Sequence, residues 1–214
     1  MIKNVIFDVN RVLRILNNDP VINYFSPSLL SEFGERYKNI SIREYFNQFF
    51  HNETFKQYDL GLITQNELIE SLSNSFNEPK QILSCVLEKR CLKQHNTIFV
   101  KMITFIKQLK ADGFKVFILS NMGKEAADAL RILLDENNFD DIIFSCDVHF
   151  AKPNINMYEY AVKRFEITPQ ESLFVDDTFE NLLPFNRLGG RTYLFDHTQM
   201  SKCLSDLKQI IYTN

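Results

Sequence analysis

From residue 99 onward, β-favouring runs alternate with segments of helical period, and no other feature restricts the fold as tightly. Phe99, Val100, Met102, Ile103, Phe105, Ile106 and Leu109 recur at helical spacing and stop near Gly113. A largely apolar run from Lys115 to Leu119 then ends at Ser120. Ala126 to Leu134 is helical, Asp141 to Ser145 reads as a short strand, and Met157, Tyr158, Ala161, Val162 and Phe165 mark another helix. Leu173 to Val175 is a strand that stops at Asp176-Asp177. A short helix precedes Gly189-Gly190, Arg191 to Phe195 is one more strand, and Leu204, Leu207, Ile210 and Ile211 lie on a terminal helix. An earlier strand, Asn4 to Phe7, ends at Asp8. Strands separated by helices form a parallel sheet covered on both faces. The expected class is therefore α/β, a doubly wound parallel sheet.

The alternation is broken once. From about Asp19 to Gln94 the chain is rich in Phe, Leu, Ser, Asn and Glu, with helical spacing at Tyr45, Phe46, Phe49 and Phe50 and again at Leu68, Ile69 and Leu72. Ser41 with Glu44 and Thr64 with Glu67 both fit the S/T-x-x-E capping box. This block reads as several helices and no sheet, inserted after the first strand. The expected division is a core of residues 1–14 and 96–214 and an all-helical subdomain of residues 15–95.

Composition removes several function classes. The chain has 214 residues, 24 Lys plus Arg against 27 Asp plus Glu, and a net charge of −3, so it has no general attraction for nucleic acid. No apolar run reaches the roughly 18 residues that span a bilayer. The start, MIKNVIFD, is too short and too acidic for a secretory signal. Cys85, Cys91, Cys146 and Cys203 form neither a CxxC pair nor a zinc pattern, which suits reduced thiols in a cytoplasmic protein. The 20 Phe and no Trp suggest a core filled with Phe.

Asp8, Ser120 and Asp176-Asp177 each end a strand, and that edge of a parallel sheet is where ligands bind. Three carboxylates cannot share a dry cleft without a cation or proton. Hard oxygen ligands suit Mg²⁺, which binds through one or two carboxylates plus substrate phosphate and water. Ser120 and Asn121, between a strand and a helix, offer a hydroxyl and backbone N–H groups to a phosphate. Lys152 follows the Asp141–Ser145 strand and can neutralise charge at the same edge.

In order, Phe7-Asp8-Val9-Asn10-Arg11-Val12-Leu13, Leu119-Ser120-Asn121, Lys152-Pro153 and Phe174-Val175-Asp176-Asp177 with Asn181 resemble the four motifs of the haloacid dehalogenase-like superfamily. Gly61-Leu62-Ile63-Thr64 is similar to a recurrent sequence of that family's helical cap. The resemblance implies a Rossmann-like core and a phosphatase-like activity on a small phosphorylated metabolite. Asp8 would be the nucleophile that becomes an aspartyl-phosphate. Asp8, Asp177, Asp176 and the Asn10 carbonyl would hold Mg²⁺. Ser120 and Asn121 would bind phosphoryl oxygens, Lys152 would stabilise charge, and Asn181 would support the site from behind.

Asn10 departs from the pattern. Phosphatases of this family commonly place a second Asp there, which protonates the leaving group and then activates water. An amide does neither, and general acid–base catalysis is typically worth about 10²–10⁴-fold. A slow enzyme, a phosphate-binding protein with little turnover and a metal-free dehalogenase are the three readings that follow. The acidic Asp176-Asp177 pair argues against the last. Arg11 offers a guanidinium to an anionic substrate group, or is simply exposed on its loop. His51, His95, His149 and His197 show no metal-ligand spacing and read as surface or packing residues. Phe46, Phe49, Phe50 and Phe55 read as core of the helical block. Asn47, Gln48 and Tyr58 are candidates to read substrate hydroxyls, and Pro184 is structural, tolerable near a helix start or at a kink.

Overall fold

The structure, a computed structural model, describes residues 1–49, 52–89 and 92–213, so Phe50, His51 and Cys91 lie outside the described residues. The strands are β1 (Asn4–Phe7), β2 (Arg14–Leu16), β3 (Asn96–Ile98), β4 (Lys115–Ser120), β5 (Asp141–Phe144), β6 (Ser172–Asp176) and β7 (Arg191–Leu194). The helices before β3 are α1 (Pro27–Tyr37), α2 (Ile42–Asn47), α3 (Glu53–Asp59), α4 (Gln65–Phe76) and α5 (Lys80–Lys89). Those after it are α6 (Val100–Ala111), α7 (Lys124–Leu134), α8 (Ser145–Val148), α9 (Ile155–Arg164), α10 (Phe179–Arg187) and α11 (Met200–Tyr212).

Among the described residues, β5-β4-β1-β6-β7 form a five-stranded sheet, and every pairing in it is parallel. The chain leaves β1 for β4 and β5 on one side, then crosses to β6 and β7 on the other. The strand order thus reverses at β1, the place where parallel sheets open a crevice for ligands. Successive residues of β1 point to opposite faces. Val5 and Phe7 pack with Met102 and Leu109 of α6, Leu130 of α7 and Leu207 of α11. Ile6 packs with Met157 and Tyr158 of α9 and Leu182 and Phe185 of α10. Burial on both faces makes these strands continuous apolar runs in sequence.

Helices α1 to α5 build a separate apolar cluster around Tyr24, Tyr45, Phe49, Leu68 and Val86. Their starts are locally encoded. Ser41 and Thr64 both complete capping boxes with Glu44 and Glu67, and Ser26 caps α1 ahead of Pro27. The Tyr37 hydroxyl donates to buried Glu78 at 2.7 Å, which Arg36 also meets at 3.3 Å. No described helix is long and apolar enough to cross a membrane.

Two sequence expectations need correction. β2 and β3 pair antiparallel in a two-stranded ribbon at the two ends of the helical block, where no strand was expected. Ser145 begins α8 rather than ending β5. Pro184 lies inside α10, the short helix in which the sequence places it. The carbonyl it leaves without an i+4 N–H belongs to exposed Glu180.

The turn after α3 rests on α8. Gly61 has φ +67°, and a Cβ there would lie 2.6 Å from the Cys146 carbonyl oxygen. Gly113 has φ +88° with nothing within 4 Å of such a Cβ. Gly113→Ala should cost only the left-handed backbone, about 1–2 kcal/mol. Gly61→Ala should cost more, because the helical block must also shift off α8. Urea unfolding of the two variants measures the difference, and equal losses would refute it.

Candidate active site

Asp8 follows β1 and is fixed by its own backbone, whose N–H donates to the Val175 carbonyl of β6 at 2.9 Å. Its carboxylate lies between the ends of β4 and β6. Oδ1 accepts from Ser120 Oγ at 2.7 Å and from Lys152 Nζ at 2.7 Å. Lys152 Nζ donates also to Asp176 Oδ2 at 2.6 Å. All four residues are buried.

Lys152 is aimed by two further contacts. Its backbone N–H donates to Asn121 Oδ1 at 2.8 Å, while Asn121 Nδ2 donates back to its carbonyl at 2.9 Å. Its ammonium also lies 5.4 Å from the centre of the Phe174 ring, a cation–π distance. Asp176 is held by the Thr178 N–H at 2.8 Å and by Asn181 Nδ2 at 3.1 Å. Asn181 in turn receives the Tyr158 hydroxyl on its carbonyl at 2.6 Å.

Asp177 turns toward the loop after β1, where Arg11 Nη1 lies 3.3 Å from its Oδ2. Arg11 has φ +59°, and the backbone around it is pinned by Val9, whose carbonyl accepts from Leu13 and Arg14. Arg11 is therefore an exposed residue with a partner inside the site. Asn10, next to it, lines the same cavity.

Asp8, Asp176 and Asp177 offer carboxylate oxygens within 4.8 Å of one another. Among the described residues, the cations bonded to them are Lys152 and Arg11, two positive charges against three negative. The imbalance shows in the acidities. Burial pushes the Asp176 carboxyl above its ordinary range; Lys152 opposes that and the Asp8 charge adds to it. Burial and then Asp8 raise Asp177 also, against Arg11. Burial works against the charge on Lys152, but Asp8 and Asp176 outweigh it and hold the ammonium above its usual range. A hard divalent cation fits this set, because all-oxygen donors and a shortage of positive charge are what Mg²⁺ requires.

A cavity of about 360 Å³ opens from these residues toward the helical block, lined by Asp8, Asn10, Arg11, Ser120, Asn121, Lys152, Asp177 and Asn181 at its sheet end. Asp176 lies behind it, shielded by Lys152. Ser120 and Asn121 stand at the expected edge: the Ser120 hydroxyl donates to Asp8, and the Asn121 side chain is spent on Lys152, a contact in which the Asn121 backbone N–H takes no part.

Several residues outside the motifs join the two parts of the chain. Ser145 Oγ bonds the Met122 N–H at 2.9 Å and the Asp59 carbonyl at 2.5 Å. Tyr58 donates to Glu125 Oε2 at 2.8 Å, and His149 Nδ1 to the Leu60 carbonyl at 2.8 Å. Tyr58 thus reads Glu125 of α7 instead of a substrate, and neither it, Asn47 nor Gln48 lines the cavity. The signal in sequence was slight: a serine directly after the apolar run of β5, much as Ser120 closes that of β4. His95 stacks on Tyr24 with ring centres 4.0 Å apart, and His197 stacks on Phe99, so both are packing residues. Phe49 is core of the helical block, while Phe46 and Phe55 belong to that core and to the cavity wall at once.

A family model described as haloacid dehalogenase-like hydrolase matches residues 2–189, and the chain belongs to that family of hydrolases. Among curated relatives, drimenol cyclase drtB of Aspergillus calidoustus is 26% identical over 155 residues, 72% of this chain but only 29% of its own length. Sesquiterpene phosphatase astK of Aspergillus oryzae is 25% identical, covering 65% of this chain and 70% of that protein. Pyrophosphatase PpaX of Bacillus cereus is 23% identical, covering 89% and 82%. The enzyme BT-2542 of Bacteroides thetaiotaomicron, crystallised with magnesium and inorganic phosphate, shares the fold with a TM-score of 0.68 at 21% identity, covering 90% of this chain and 93% of its own.

The Lys152 cation should be the electrostatic keystone of the site. In chelator, Lys152→Met should lower the unfolding free energy by about 3–5 kcal/mol, because it leaves two buried carboxylates facing each other. Adding Asp176→Asn should recover much of the loss. Urea titrations of both variants check this, and an additive second penalty would contradict it.

Proposed function

We propose that the chain is a Mg²⁺-dependent hydrolase of a small phosphomonoester that works through a phosphorylated Asp8. The observation that carries this reading is the buried Asp8–Lys152–Asp176 array beside Asp177, with three carboxylates inside 4.8 Å. Phosphatase relatives support it, as does a structural neighbour crystallised with magnesium and phosphate.

Asp8, Asp177, Asp176 and the Asn10 carbonyl would hold the metal, whose chemistry when bound is to neutralise charge on phosphoryl oxygens. Asp8 attacks phosphorus; a carboxylate–phosphorus bond forms as the bond to the leaving oxygen breaks. Water then attacks the same phosphorus, the bond to Asp8 breaks, and inorganic phosphate leaves. Lys152 holds Asp8 in place and offsets negative charge as phosphate arrives. Ser120 keeps the attacking carboxylate from rotating, and serves a phosphoryl oxygen when its hydroxyl turns from Asp8. Arg11 meets an anionic group at the mouth.

Residues 15–95 act as a cap hinged on the β2–β3 ribbon, and closing it removes water from the site. A cytoplasmic location belongs to this reading, since the described cysteines Cys85, Cys146 and Cys203 are free thiols.

Asn10 favours a second reading, a phosphate-binding protein with little turnover, and one experiment separates the two. p-Nitrophenyl phosphate has a leaving group that departs without a proton. It should be hydrolysed with Mg²⁺, not in chelator, and not by Asp8→Asn. Alkyl phosphates need the proton, so Asn10→Asp should accelerate them by about 10²-fold or more and p-nitrophenyl phosphate far less. Activity retained in Asp8→Asn would overturn the mechanism. No metal-dependent activity on either ester would favour the binding protein.

A further inference from the structure

The cavity has two chemically distinct halves. Every residue that serves the phosphate and metal lies at the sheet end. The half built by the ribbon, the helical block and the start of α7 is walled by Ile15, Leu16, Ile42, Phe46, Phe55 and Met122. Among the described residues, the ribbon and the helical block contribute no Ser, Thr, Asn, Gln or Tyr side chain to the lining. The polar groups they do contribute are charged. The Arg14 guanidinium donates to Asn96, Arg43 is exposed, and Asp59, whose backbone carbonyl meets Ser145, adds a carboxylate-bearing residue to the lining.

This wall matches a polyol poorly: outside Arg14, Arg43 and Asp59, a sugar hydroxyl set against Ile15, Leu16, Ile42, Phe46, Phe55 or Met122 would give up water without gaining a donor or acceptor in exchange. An apolar body gains instead, because the aromatic rings and branched side chains remove its surface from water. The volume, about 360 Å³, lies at the low end of the 300–1,000 Å³ of small-molecule sites. It suits a phosphate with one ring or a short branched chain.

Resting on the phosphatase reading, we infer that the substrate is a phosphomonoester whose leaving group is apolar and poor in hydroxyls, with Phe46 and Ile15 as residues that set this choice. Phe46 reaches the cavity from α2, within the core of the helical block. Ile15 reaches it from the ribbon, at a half-buried position.

The test compares cyclohexylmethyl phosphate with glucose 6-phosphate, both phosphates on a ring-borne primary carbon, with Mg²⁺ present. Acetyl phosphate, which needs no proton donor and carries almost no body, reports phosphoryl chemistry alone. The expected kcat/KM favours the cyclohexyl ester by at least about a hundredfold. Phe46→Asn and Ile15→Asn should each reduce that ratio at least about tenfold. Ile15→Asn keeps the test open where Phe46→Asn fails to fold.

Turnover of acetyl phosphate with a ratio near one, or with neither ring ester hydrolysed, would overturn this inference and leave the phosphatase reading standing. A ratio that neither variant moves would also overturn it, because the wall would then not be the selector. No turnover of any of the three would remove the phosphatase reading and this inference together.

Discussion

A single buried ammonium holds the site in register. Asp8 and Asp176 end adjacent parallel strands, so the sheet itself forces two carboxylates together out of water. Their repulsion would open that edge if Lys152 did not lie between them, 2.7 and 2.6 Å from their oxygens. Such an array is a poor way to gain stability, since desolvating three charges offsets most of their attraction. It is a good way to fix geometry. The Asn121 side chain clamps the Lys152 backbone on both sides, and Asn181, with Tyr158 behind it, fixes Asp176. The Asp8 carboxylate is thereby aimed before any ligand arrives, which is where the proposed phosphoryl transfer would gain most.

The helical block reaches this array through a small set of polar contacts. Tyr58, Asp59 and Leu60, in consecutive positions, meet Glu125, Ser145 and His149 of the core. Gly61 follows them with its Cα close against the Cys146 backbone. Apolar clusters meet this seam at their margins, through the Tyr58 ring on one side and Cys146 on the other. The polar contacts are exchanged for water at little net cost, which suits a joint that must separate to admit a ligand and meet again around it.

The sheet was legible because its strands are buried on both faces, so Val5-Ile6-Phe7 and Phe117-Ile118-Leu119 announce themselves as apolar runs with a polar residue at the end. The same geometry made Asp8, Ser120 and Asp176 visible as site candidates. What stayed hidden is tertiary. β2 and β3 are three residues long and 80 positions apart at Leu16 and Asn96, too short to carry a pattern. The use of Asn121 as a clamp on Lys152 depends on how two loops meet. Tyr58 looked like a reader of substrate because its neighbours are aromatic, yet its hydroxyl is committed to α7. Phe46 and Phe55 show why core and cavity are hard to separate from sequence: the same residue belongs to both.

The ribbon has a consequence for how such a chain changes. β2 and β3 are hydrogen-bonded neighbours, so the chain departs from the core and rejoins it at one spot. A segment whose ends already touch closes no additional loop in the core, whatever its length. The helical block can lengthen, shorten or be exchanged without the sheet registering the difference. On the proposed reading, residues that choose a ligand and residues that break its bond would therefore occupy separately replaceable stretches of chain, and new specificities could be tried without disturbing the chemistry.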